Sequence, residues 1–109
     1  MEIAPPAPGL PPERTKWLGK WSGSACGRIC HAKIAVLEVT ESEAKVLEIW
    51  TSDETKASPT FRKGTFVGDE LVIYDKNYRA SYRMRASGEV ELLRARLNAL
   101  AWGVLARDP

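Results

Sequence analysis

Histidine and cysteine are nearly absent from this chain: His31 is the one histidine, and Cys26 and Cys30 are the two cysteines. That scarcity argues against a zinc centre, because Cys26, Cys30 and His31 leave a fourth ligand position with no second histidine to fill it. Haem attachment needs two residues between its cysteines, and this loop has three. No cofactor or metal is expected. No motif sets a Ser, Asp or Glu into a nucleophile or acid–base arrangement, so the chain does not read as an enzyme. An apolar run approaching the roughly 20 residues of a membrane helix is also lacking, and Met-Glu-Ile-Ala-Pro-Pro has neither the basic nor the apolar region of a signal peptide. No membrane partner is expected. Charge of one sign is missing too: 16 basic against 14 acidic side chains leave +2, too even to imply a nucleic-acid or membrane-surface partner.

What is present fits one domain. A chain of 109 residues buries roughly two-thirds of its unfolded surface, enough for a core without metal or several disulfides. From Ala4 to Glu13 five prolines remove amide donors and fix φ, so residues 1–16 read as a disordered leader or linker ahead of a domain spanning 17–109. After Lys16 no proline occurs before Pro59, and short β-branched and aromatic runs alternate with turn chemistry. Strands are predicted at Trp17 to Ala25, Ala32 to Thr40, Ala44 to Thr51, Thr60 to Val67, Glu70 to Asp75, Ala80 to Ala86, Glu89 to Leu97 and Ala99 to Arg107. Between them Thr-Glu-Ser-Glu, Val-Gly-Asp-Glu and Ala-Ser-Gly-Glu form tight hairpins, with Gly68 and Gly88 supplying positive φ. Short links pair each strand with its neighbour. The predicted fold is therefore all-β, an antiparallel up-and-down meander of about eight strands that removes its exposed edges by closing into a small barrel. A rival reading makes Val90 to Ala106 a helix, because it is rich in Leu, Ala, Arg and Glu; Asn98, Gly103 and the Ser87-Gly88 turn favour strands.

Gly19-Lys20-Trp21 opens the first strand, with Ser22-Gly23 following, so small residues flank one indole. Arg107 ends the last strand, which in a closed barrel lies beside the first, and a guanidinium over an indole is a favoured pairing. In these residues the chain resembles the calycin superfamily, the lipocalins and avidins, whose first strand carries G-x-W and whose last strand offers a basic residue to that Trp. Gly19, Trp21 and Arg107 then have structural roles. Leu18 to Ser22 is also similar to the opening of avidins, which implies that Ser22 stands near a ligand. Only Trp50 and Trp102 follow in the later strands, fewer than avidins carry there, and biotin is not predicted. Small barrels of this pattern also look like domains appended to secreted bacterial hydrolases, consistent with the proline-rich leader.

Trp17, Trp21, Trp50 and Trp102 are first of all packing residues, each ring able to bury about 150–250 Å². Where the interior is a cavity, Trp21, Trp50 and Trp102 with Tyr82 are its expected wall, apolar surface with one hydroxyl for orientation. Cys26 and Cys30 flank Gly27 in a hairpin loop, where a local disulfide is the preferred reading and two unpaired structural thiols the next. A bridge there implies a periplasmic or secreted protein. Arg79, Arg83, Arg85, Arg94 and Arg96 are interleaved with Tyr78 and Tyr82, a composition that single-stranded nucleic-acid binders use. The preferred reading is a solvated outer face in which Arg83 and Arg85 pair with Glu89 and Glu91. Glu38 and Glu48 lie in otherwise apolar strands and are read as facing outward. An inward Glu would instead act as an acid or contact a ligand.

Three functions fit these residues. The first is a non-catalytic barrel binding a small, partly apolar molecule. The second is a solid-core module of a larger secreted protein, or a self-associating one, because strands such as Lys33 to Val39 and Ala44 to Trp50 are apolar on both alternations and imply covered outer positions. The third is an open barrel for single-stranded nucleic acid, which requires fewer strands.

Overall fold

The computed structural model describes residues 3–6, 8–25, 30–52, 58–96 and 99–108. Eight antiparallel strands follow one another in chain order around a closed barrel. They are β1 (Gly19–Ala25), β2 (Cys30–Val39), β3 (Glu43–Ser52), β4 (Ser58–Val67), β5 (Glu70–Asp75), β6 (Tyr78–Met84), β7 (Val90–Arg96) and β8 (Ala99–Arg107). The only helix among the described residues is α1 (Pro12–Thr15), a single turn. Every predicted strand is present, and β5 and β8 have the predicted bounds. Gly68 and Gly88 take φ of 62° and 93°, as tight hairpins require. Closure over eight strands differs from the open barrel that the nucleic-acid reading assumed.

Closure depends on glycine at the seam. β1 pairs with β8 through Trp21↔Arg107, Ser22↔Ala106 and Ala25↔Gly103. A Cβ on Gly23 would lie 2.6 Å from the Val104 carbonyl oxygen, and one on Gly103 would lie 2.5 Å from that of Ser24. Backbone meets backbone there, and any larger residue would hold the first and last strands apart.

Alternation then sorts side chains inward and outward. Ala32, Ile34 and Val36 of β2, Ala44 and Val46 of β3, Leu71 and Ile73 of β5, Ala80 and Tyr82 of β6, and Val90 and Leu92 of β7 belong to one buried core. In β2 a register shift between Val36 and Glu38 returns Val39 to that core one position out of phase with Ala32, Ile34 and Val36. The helix formers of 90–106 become β7 and β8 because pairing buries Val90, Leu92 and Leu105 on alternate positions.

Parts of the segment before β1 pack on the barrel. Trp17 precedes β1 rather than belonging to it; it is 1% exposed, with its ring 6.4 Å from Trp21 and 6.1 Å from Phe66. Arg14 lies 4.3 Å over the Phe66 ring and donates from Nε to the Glu41 carbonyl at 2.6 Å. One end of the barrel is thus plugged by its own chain. Farther back, Ile3 packs on Ala35, Leu37 and Leu47, outward residues of β2 and β3, and the Ala4 amide donates to the Leu37 carbonyl at 2.8 Å. The outer apolar positions expected to be covered are therefore covered in part by the leader itself, whose few apolar side chains gain by leaving water.

Candidate functional site

The other end of the barrel is a cup. Trp17 and the Gly68-Asp69 turn stand at one end of β5, and the Lys76-Asn77 turn at the opposite end lines a cavity of about 680 Å³. That volume falls within the roughly 300–1,000 Å³ usual for small-molecule sites. Its floor is Glu48, 2% exposed on the inner face of β3. Alternation puts it there, two residues beyond Val46 and opposite Thr60 of β4. Tyr78 donates its hydroxyl to Glu48 Oε1 at 2.7 Å, and Tyr82 donates to Oε2 through a second, short hydrogen bond. Arg62 Nε lies 3.4 Å from Oε1, and Arg62 Nη1 donates to Asp75 Oδ2 at 3.0 Å. Both oxygens of the buried carboxylate are therefore occupied, as burial of a charge demands.

The wall is a run of stacked planes. The Arg62 guanidinium lies 4.2 Å over the Tyr78 ring, and the Arg94 guanidinium lies 5.0 Å from Tyr78 and 4.0 Å over Trp50. Arg94 belongs to the inner set of β7 because it continues the alternation of Val90 and Leu92. Its neighbours across the ladders are Ala80 and Ala101, whose small side chains leave room for it. The lining carries four cations, Arg62, Lys76, Arg94 and Arg96, against two carboxylates, Glu48 and Asp75.

Burial first, and then the Glu48 charge, raise the Tyr82 phenol well above its ordinary 10, and the same two causes raise Tyr78. Both phenols stay protonated and donate. A raised folded value stabilises the fold fully below pH 10 and is lost as pH rises through the folded values, because the unfolded chain releases those protons first. The urea midpoint of unfolding is thus expected to hold up to about pH 10 and to fall above it. The fall should be shallower in a Tyr78→Phe/Tyr82→Phe variant; equal slopes in the two proteins would disprove the assignment to these phenols.

The residues predicted to bind ligand are only partly brought together. Trp50 lines the cup, whereas Tyr82 is fully buried behind its floor, hydrogen-bonded to Glu48. Trp21 instead lies in the core near the plugged end, fully buried, donating from Nε1 to the Gly88 carbonyl at 2.9 Å. Ser22 faces outward and donates to Asp108 Oδ1 at 2.6 Å. That hydrogen bond, followed by nearby Lys33 at 3.2 Å, lowers the Asp108 carboxyl below its ordinary value. Trp102 is 71% exposed on the outer face of β8, opposite Leu93, so the expected wall loses it. Its inward neighbour Gly103 occupies the tight seam, which leaves the indole on the other side.

The structural pair is as expected. Arg107 lies 4.7 Å over the Trp21 ring and donates from Nη2 to the Leu18 carbonyl at 2.6 Å. Gly19, at φ 151°, makes room for it: a Cβ there would lie 2.6 Å from Arg107 Nη2. Of the expected Cys26–Cys30 bridge, Cys26 lies outside the described residues, and Cys30 opens β2 opposite Ser52.

The reading of the charged residues needs three corrections. Glu48, read as outward, is inward, whereas Glu38 is exposed and pairs with Lys45 at 3.8 Å. Arg85 pairs with Glu89 and Glu91 as expected, but Arg83 reaches Asp69 at 3.7 Å in the neighbouring hairpin. Arg94, grouped with the outer arginines, lines the cup. Arg62 was not singled out at all; its signal is its place between Thr60 and Gly64 on the inner alternation of β4. A second recess of about 570 Å³, on the outer side near Phe61 and Lys63, has its charges paired with one another, Lys63 with Glu43 at 2.7 Å and Lys45 with Glu38. It offers a ligand less than the cup does. Compared with protein-family models, curated proteins and solved structures, the chain matches none.

Proposed function

We propose that the protein is a non-catalytic binding barrel of the calycin type that takes a small, partly apolar ligand into its mouth. One observation carries the reading: a cup of ligand size, walled by Trp50 and Tyr78 and floored by the Glu48 cluster, stands at one end of a barrel whose other end is plugged by Trp17. The calycin assignment is supported by Gly19-x-Trp21 with Arg107 over the indole. Binding rather than catalysis is supported by Glu48, whose two oxygens already accept from two phenols and face Arg62, so that the carboxylate is held in a buried structural cluster. The test is a titration of the ¹⁵N-labelled protein with a mixed set of small aromatic and aliphatic fragments, followed at the four tryptophan indole N–H signals. The Trp50 signal should move and the Trp21 signal should not. No movement at Trp50 at millimolar concentrations would sink the reading.

A second reading is favoured by a separate observation. Leu93, Leu100 and Trp102 are exposed together on the outer side of β7 and β8, where Leu93 faces Trp102 and Ala95 faces Leu100. A face of this kind suits an accessory module of a larger secreted protein, or contact with a second copy.

A further inference from the structure

We propose that Arg94 is the anchor for a carboxylate, so that the ligand of the cup is a small organic acid with one planar anionic head; this rests on the mouth being a ligand site. The argument begins with what Arg94 lacks. Among the described residues it has neither an ion-pair nor a hydrogen-bond partner, and its Nε is buried without an acceptor. A guanidinium keeps its charge at any physiological pH, so this cation cannot escape the problem by losing a proton.

The acids nearby are engaged elsewhere. Glu48 accepts from Tyr78 and Tyr82 and faces Arg62, and Asp75 accepts from Arg62. The faces of Arg94 are covered by Trp50 at 4.0 Å and Tyr78 at 5.0 Å. Its N–H groups lie in the guanidinium plane, at the edge, and among the described residues that edge has no acceptor. Two parallel N–H donors match a carboxylate, whose two oxygens lie in one plane at the same spacing. The stacking fixes the plane beforehand, so little side-chain freedom is lost on binding.

Charge sets the class more narrowly. The lining has an excess of cations, which draws an anion. Glu48 and Asp75 stand close by, however, and would oppose a doubly charged phosphate more than a singly charged carboxylate. The rings of Trp50 and Tyr78 provide the apolar contact for the rest of the molecule.

The experiment uses the full chain, ¹⁵N-labelled, in low-salt buffer at neutral pH, with benzoate, benzamide and inorganic phosphate as separate probes. Benzoate should move the Trp50 indole signal and bind about 10-fold or more tightly than benzamide, its neutral near-isostere. Arg94→Gln should abolish most of the preference for benzoate over benzamide, and Arg94→Lys should retain part of it. An unmoved Trp21 indole signal shows that the variants are folded. If Arg94→Gln does not fold, the benzoate to benzamide ratio of the unaltered protein decides alone. Equal binding of benzoate and benzamide at the cup, or full benzoate binding by Arg94→Gln, overturns the carboxylate anchor and leaves the binding barrel standing. Phosphate binding more tightly than benzoate overturns the carboxylate class. No movement of Trp50 with any probe overturns the anchor; if the mixed fragments also leave it unmoved, the binding reading falls with it.

Discussion

Replacing Glu48 with alanine is expected to lower the free energy of unfolding by about 3–5 kcal/mol, the cost of breaking a buried ion pair by removing one partner. Two phenols would lose their acceptor at once, each an unsatisfied buried donor costing about 1–3 kcal/mol. Arg62, with its side chain 20% exposed, would keep only Asp75 at the rim. Against a typical total of about 5–15 kcal/mol this is a large fraction. Glu48→Gln should fall between the two proteins, because its amide oxygen can accept from one phenol while its NH₂ group opposes the other. A Glu48→Leu/Tyr78→Phe/Tyr82→Phe variant, which removes the polar groups together, should be more stable than Glu48→Ala. Urea unfolding followed by circular dichroism measures all of these. A loss below about 1 kcal/mol for Glu48→Ala would mean that the cluster is not coupled as its geometry implies.

Trp21→Ala is expected to be comparably damaging, about 3–5 kcal/mol, because it empties a fully buried indole site in the core. It also removes the donor that reaches the Gly88 carbonyl and ties the β6–β7 turn to β1. Arg107→Ala removes the guanidinium from the same ring and should cost only about 0.5–2 kcal/mol, since the arginine is exposed. Comparing the two separates packing from the cation–π contact. If Arg107→Ala cost as much as Trp21→Ala, the pair would be held mainly by the charge and by the Arg107 hydrogen bonds to Leu18 and Lys16. The G-x-W element would then be a clasp on the segment before β1 and not a core residue with a lid.

Much of the fold was legible because its signals are local. A hairpin is announced by glycine between two short apolar runs, and Gly68 and Gly88 take the positive φ that their neighbours imply. The Trp21–Arg107 contact was legible for a less local reason, since closing a meander forces its first and last strands together. The contacts of Ile3 and Leu10 with the barrel were not legible, because proline content reports what a segment cannot pair with and two apolar side chains are too few to announce where they pack.

The site was legible only in fragments. Tyr82 and Trp50 were expected at a ligand, and Glu48 was noticed but read as outward. Facing direction in a strand depends on register, and a shift of one residue exchanges the two faces. Hydrophobicity indicates the face well where one alternation is plainly apolar, as in Leu71 and Ile73. It misleads in β8, where Trp102 is far more apolar than Ala101 or Gly103 and yet points out, because only Gly103 fits against the Ser24 carbonyl.

By itself the sequence determined the number of strands, the turns that join them, and hence an antiparallel meander that must close, because period-two patterning and turn chemistry act within a few residues. The tertiary structure alone decided which charged side chains enter the barrel. Glu48, Arg62 and Arg94 come from three different strands, and they meet only once closure sets every register together and leaves small neighbours, Ala80 and Ala101, beside the Arg94 guanidinium, whose Nε is buried with no acceptor among the described residues.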